Sequence, residues 1–215
     1  MKDCRVKAIT EGICDYYITC GHKYPWRINR TPFRVYVSEI LLQRTRAKQV
    51  EPVFSKIIEK YPDPETLLEN FEDAAKEMYT LGRNIRLHYF KQGLEYIVTN
   101  YGGEIPGEKS RLMLIPGVGD YIAAAVRIFG YGFQDTIIDA NVVRVLSRIY
   151  GKKYDGETRR KKEFIILAEK HSLHSRCVDY SYGILDFAAD VCRPRKPLCD
   201  RCFLTVYCEY AVFYH

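Results

Sequence analysis

The chain has 215 residues, 47% of them hydrophobic, enough for one large domain or two small lobes and too apolar for a disordered polymer. No apolar run approaches the roughly 20 residues of a membrane span, and Lys2, Asp3, Arg5, Lys7, Glu11 and Asp15 break up the first twenty positions, which excludes a signal peptide and predicts an intracellular protein. Lysine and arginine outnumber the acidic residues 33 to 27, and the net charge of +6 permits a polyanionic partner without requiring one.

In chain order, residues 1–24 read as one amphipathic helix and a loop. Tyr24-Pro25-Trp26-Arg27 leads into a turn over 29–32. A helix is predicted from about Phe33, with Phe33, Val37, Ile40 and Leu41 on its buried face. Tyr36, Glu39 and Gln43 share a neighbouring face by the same spacing. Further helices are predicted near 47–60, 64–70, 72–80 and 85–99, punctuated by Pro62, Pro64, Gly82 and Gly102-Gly103. No run of alternating strands and no internal repeat interrupts them, so the fold class is read as all-α.

Leu112-Met113-Leu114-Ile115-Pro116-Gly117-Val118-Gly119-Asp120-Tyr121 then reads as a short helix ended by Pro116, a tight glycine turn and the start of an Ala-rich helix. Free backbone N–H groups at such a helix start are a seat for a phosphate, gripped without reading base sequence. An ordinary helical corner explains the same glycines, and Asp120, an odd charge beside a phosphate, reads as a helix cap.

At Ile137-Ile138-Asp139-Ala140-Asn141-Val142-Val143, Asp139 stands where an N-cap belongs, with Ile138 and Val143 spaced as a hydrophobic staple. A cap accounts for Asp139 completely. The same carboxylate at a cleft would also stabilise a cationic, oxocarbenium-like sugar.

Eight cysteines remain to be explained. Cys4, Cys14, Cys20 and Cys177 are scattered, whereas Cys192-x6-Cys199-x2-Cys202-x5-Cys208 crowds four into one C-terminal loop. In a reducing compartment such a cluster binds metal more often than it forms disulfides. Structural zinc sites usually pair two short knuckles, and only Cys199 and Cys202 are so paired here. The uneven spacing therefore favours a [4Fe–4S] cubane over zinc. Arg193, Arg195 and Lys196 lie between the first two ligands, as a solvated basic loop or as positioned phosphate contacts.

Taken together, Tyr24-Pro25-Trp26-Arg27, Ser38-Glu39-Ile40-Leu41-Leu42-Gln43-Arg44-Thr45, Pro116-Gly117-Val118-Gly119, Asp139 and the four-cysteine loop resemble, in order and over about residues 24–208, the helix-hairpin-helix DNA glycosylases of the endonuclease III superfamily. The resemblance implies a two-lobed all-α fold. A six-helix lobe over 27–134 would carry the hairpin at about 108–130. A second lobe, 1–26 with 135–215, would hold the [4Fe–4S] loop at 192–208. Double-stranded DNA with a mismatched or damaged base would lie across the cleft, its target nucleotide flipped out. The implied protein is a monomer in an archaeal or bacterial cytoplasm, at the nucleoid and without membrane attachment.

Within the superfamily the sequence looks like the adenine-excising MutY branch and the thymine-excising Mig branch. Ala140 after Asp139, where the adenine branch typically has Gly, and the end of the chain seven residues after Cys208 favour the thymine branch. The implied activity is removal of thymine or uracil opposite guanine; a MutY-type adenine glycosylase without its C-terminal domain is the alternative. The resemblance gives Asp139 the stabilisation of charge at C1′. It puts Tyr121 where strand-cleaving members carry a lysine, which implies a monofunctional enzyme. Glu39 becomes a general acid or a hydrogen-bonding partner of the departing base. Gln43 and Arg44 match the region that enters the duplex. A non-catalytic iron–sulfur DNA-binding module is the rival from another class, and it would need neither Asp139, Tyr121 nor Glu39.

Overall fold

The computed structural model describes residues 2–82 and 84–214; Met1, Arg83 and His215, which the expected lobes include, lie outside the described residues. It is 69% helical, with no strand among the described residues, as the all-α reading requires. The chain divides into two compact units, one formed by residues 23–133 and the other by 1–22 with 134–215.

The continuous unit begins with the one-turn helix α2 (Pro25–Ile28), followed by α3 (Pro32–Leu42) and α4 (Ala47–Lys60). Next come α5 (Pro64–Glu69), α6 (Phe71–Tyr79) and α7 (Asn84–Tyr101). Local chemistry sets the starts. Thr31 and Asp63 cap α3 and α5 by accepting from the Arg34 and Thr66 amides, and Pro32 and Pro64 occupy first-turn positions where no N–H is needed. Gly102 and Gly103, both at positive φ, terminate α7 two residues beyond the expected end. Phe33, Val37, Ile40 and Leu41 are buried as predicted, and Tyr36 and Glu39 are buried with them. Gln43 instead lies past the last turn of α3, exposed.

The unit closes with the hairpin. Helix α8 (Lys109–Leu112) ends at Leu112 and not at Pro116; single turn bonds carry the chain on, with the Ile115 amide donating to the Leu112 carbonyl. Helix α9 (Asp120–Ala125) runs into one widened turn over Val126–Gly130. There a Cβ on Gly130 would stand 2.7 Å from the Pro32 Cα, so the glycine permits the approach to the start of α3.

The other unit joins the first helix to the last third of the chain. It comprises α1 (Lys2–Cys20), α10 (Ala140–Ile149), α11 (Lys162–Ser172), α12 (Cys177–Asp190) and α13 (Glu209–Tyr214). Ile9 and Ile13 of α1, Val142, Val145, Leu146 and Ile149 of α10, Phe164 of α11 and Ile184 and Phe187 of α12 share one core. Each such side chain contributes about 1.5–3 kcal/mol by leaving water. A Cβ on Gly183 would stand 2.4 Å from the Ile13 carbonyl, so glycine lets α12 lie directly on α1. Ile138 and Val143, the predicted staple, belong to this same core.

Candidate active site and nucleic-acid interface

The candidate residues fall in both units. In the 23–133 unit, Glu39 sits on α3 at 7% exposure, and Tyr121, the second residue of α9, is half-buried. Gln43 and Arg44 are exposed immediately beyond α3, and Arg44 takes the left-handed φ of 56°. The Leu41 and Gln43 carbonyls and Thr45 Oγ1 accept from the buried Arg86 guanidinium.

The hairpin turn is built from the apolar residues upward. Ile115, Val118 and Ile122 are buried, and the Val118 amide donates to the Ile115 carbonyl at 3.0 Å. This leaves Gly117, Gly119 and Asp120 exposed. Gly117 has φ +82°, which favours glycine, and a Cβ there would also crowd the Tyr89 Cβ at 3.1 Å. Gly119 does not need glycine for its backbone. It is the N-cap of α9, at φ −107° and ψ −177°, and a Cβ would meet nothing within 4 Å. The residue therefore leaves the helix end open. Asp120 is not the cap; it is the first residue inside α9, where a carboxylate suits the positive helix end.

In the other unit Asp139 is the N-cap of α10. Its Oδ1 accepts from the Asn141 and Val142 amides at 2.8 Å each, and its Oδ2 accepts from the Asn141 side-chain amide at 2.7 Å. Three donors thus fix the carboxylate's plane. Asn141 is fixed in turn: its Oδ1 accepts from Arg144 Nη1 at 3.0 Å. Arg144 also donates to the Cys192 and Ala188 carbonyls at 3.0 Å each. A continuous hydrogen-bonded path therefore joins Asp139 to the first residue of the cysteine loop.

Cys192, Cys199, Cys202 and Cys208 all line one small, partly open cavity of about 20 Å³, together with Phe187, Val191, Leu198, Leu204 and Tyr210. Arg148 donates to Cys192 Sγ at 3.5 Å and to the Arg193 and Pro194 carbonyls at 2.7 and 3.0 Å. Burial pushes the Cys202 thiol up to about 11 and raises Cys199 and Cys208, with the neighbouring cysteines adding to the rise. A cationic group in the cavity would reverse that preference, because it favours thiolate. Among the described residues no three His, Cys, Asp or Glu side chains close on a single ion. Arg193, Arg195 and Lys196 are exposed on the same loop, and Lys196 takes a left-handed φ of 53°.

Sequence reasoning singled out neither Arg86, Arg144 nor Arg148, all buried. For the last two a signal existed: two arginines four residues apart on the apolar face of a helix must find acceptors when that face is buried. For Arg86 the signal is weak, since three of its four acceptors lie more than forty positions away on the chain.

Comparison with known proteins places the chain in a family. Residues 37–169 match the HhH-GPD superfamily of base excision DNA repair proteins. A thymine/uracil-DNA glycosylase of Methanothermobacter thermautotrophicus is 33% identical over 95% of this chain and 93% of its own. A thymine-DNA glycosylase of Aeropyrum pernix is 33% identical over 96% and 95%. The structure of a thermostable thymine-DNA glycosylase superposes with a TM-score of 0.92, at 32% identity over 98% of both chains. The chain belongs to the HhH-GPD superfamily of base excision DNA repair proteins.

Proposed function

We propose that this chain is a monofunctional DNA glycosylase that removes thymine or uracil opposite guanine from double-stranded DNA, acting as a monomer. The observation that carries the reading is the Asp139 carboxylate, held by three donors at the start of α10. The relatives that act on thymine and uracil support the choice of base. As the bond from C1′ to the base breaks, its electron pair leaves with the base and positive charge grows on the sugar. An anion already oriented stabilises that charge with little reorganisation. Water then adds at C1′, and its proton ends on the base. Tyr121 has no amine and forms no Schiff base, so the backbone stays uncut. Glu39, on the buried face of α3, orients the base or the attacking water.

Phosphates are gripped by the open α9 end at Gly117 and Gly119 and by Arg193, Arg195 and Lys196, while Gln43 and Arg44 enter the duplex. Cys192, Cys199, Cys202 and Cys208 supply the donor set of a [4Fe–4S] cluster: four thiols lining one cavity. When bound, the cluster supplies a rigid clamp for the basic loop.

Duplexes carrying G·T, G·U, A·G and A·8-oxoguanine pairs, assayed with and without alkali, test the reading. Excision at G·T and G·U with strand breaks only after alkali is expected. Excision at adenine alone would transfer the chain to the adenine branch, and borohydride-trapped covalent complexes would remove the monofunctional assignment. Iron and sulfide in equal amounts are expected on elemental analysis; one zinc per chain would replace the cluster.

A further inference from the structure

Arg86, in the first turn of α7, is 4% exposed, and the chemistry above gives it no task. Its Nη1 donates to the Leu41 carbonyl at 2.8 Å, to Thr45 Oγ1 at 3.1 Å and to the Gln43 carbonyl at 3.3 Å. Its Nη2 donates to the Gly82 carbonyl at 2.8 Å. One planar guanidinium thus fastens the loop after α3 to the loop before α7, a geometry that a lysine ammonium on a flexible stem does not reproduce.

The fastened loop is one that would not hold its shape unaided. Arg44 occupies left-handed backbone space, which a residue with a side chain keeps only when its surroundings impose it. The turn's own bonds are modest: the Gln43 amide reaches the Ile40 carbonyl at 3.4 Å and the Thr45 amide reaches the Leu42 carbonyl at 3.1 Å. The exposed side chains between these anchors are Gln43 and Arg44.

We propose that Arg86 is a positioning residue for strand entry: it pre-organises residues 43–45 so that Gln43 and Arg44 meet the base stack already ordered. The proposal rests on the glycosylase reading. A loop ordered in the free protein loses no further entropy on insertion, whereas a released loop must be ordered at the expense of flipping.

Arg86→Gln, Arg86→Lys and Thr45→Val, each in the full-length protein, test it in two ways. Amide hydrogen exchange in the free protein should accelerate at Gln43 and Thr45 in Arg86→Gln, and less in Arg86→Lys. Single-turnover excision of uracil from a G·U pair should fall about tenfold in Arg86→Gln, while uracil inside an unpaired bubble, already unstacked, is excised within about twofold of the wild-type rate. Thr45→Val removes one acceptor and should show the same pattern at about two- to threefold, which keeps the test open if Arg86→Gln fails to fold. Equal losses on paired and bubble substrates, or unchanged exchange at residues 43 and 45, would overturn the proposal. A wild-type enzyme inert on both substrates would instead overturn the glycosylase reading.

Discussion

Two helix starts in this protein use the same backbone physics in opposite ways. Both α9 and α10 begin with backbone N–H groups that the helix itself cannot satisfy, at the positive end of a helix. At α10 the chain fills that end itself, with the Asp139 carboxylate accepting from the Asn141 and Val142 amides. At α9 the cap is Gly119, which has no side chain to accept anything, and a Cβ there would face open space. One end immobilises an anion belonging to the protein; the other, under the proposed function, receives an anion belonging to DNA. The lesson is that a cap residue decides whether a helix start becomes a rigid carboxylate or a receptor.

The largest effect should come from neutralising the filled end. Asp139→Asn keeps a good N-cap, so the melting temperature should stay within a few degrees. Single-turnover excision should fall by about 10²–10³-fold, with duplex affinity unchanged. Near-wild-type turnover would reduce Asp139 to a cap.

Gly119→Asp converts the open end into a copy of the filled one, since its backbone angles suit any residue. Stability should rise by about 0.3 kcal/mol, because a side-chain cap replaces a glycine cap. Duplex affinity should nevertheless fall, and the slope of log K against log salt should flatten by about one phosphate. Affinity that rises along with stability would show that no phosphate sits there. Alanine at Arg193, Arg195 and Lys196 should flatten the same slope by up to about 0.9 per contact, without changing the excision rate of bound substrate.

A smaller contrast concerns acid. The far end of α10 is tied through its C-cap: the Tyr150 hydroxyl and Thr10 Oγ1 each stand 2.8 Å from a ring nitrogen of the fully buried His171. Burial pulls His171 down to about 4 from 6.5. As pH falls from 6.5 toward 4, the unfolded chain takes up the proton and the folded one does not. The stability that His171 supplies when neutral is therefore lost across that window, by up to about 3 kcal/mol. Denaturant titrations at pH 7 and pH 4.5 should show this loss in the wild type and a weaker one in His171→Gln. Identical losses would remove His171 as the cause.

Much of this was legible in one dimension. Apolar spacing gave the all-α class and the buried face of α3. Apolar spacing and Pro64 placed the starts of α3 and α5 to within a residue, and four clustered cysteines marked out the loop whose thiols line one cavity. The Asp139 cap was legible for the same reason: a cap and the amides it receives lie within three residues of each other. Asp120 was misread because residue type alone does not separate the cap from the first helical position beside it.

The sequence by itself therefore determined whatever depends on near neighbours: helix, cap, glycine turn and cysteine loop. Tertiary structure decided what joins them. Arg144 reaches forty-eight residues along the chain to Cys192, and Arg86 reaches back forty-five to Leu41. Each is a charged side chain that burial would penalise unless distant carbonyls met it. Those carbonyls become neighbours only when the chain folds, so the residues that hold the site in shape are the ones a linear reading passes over.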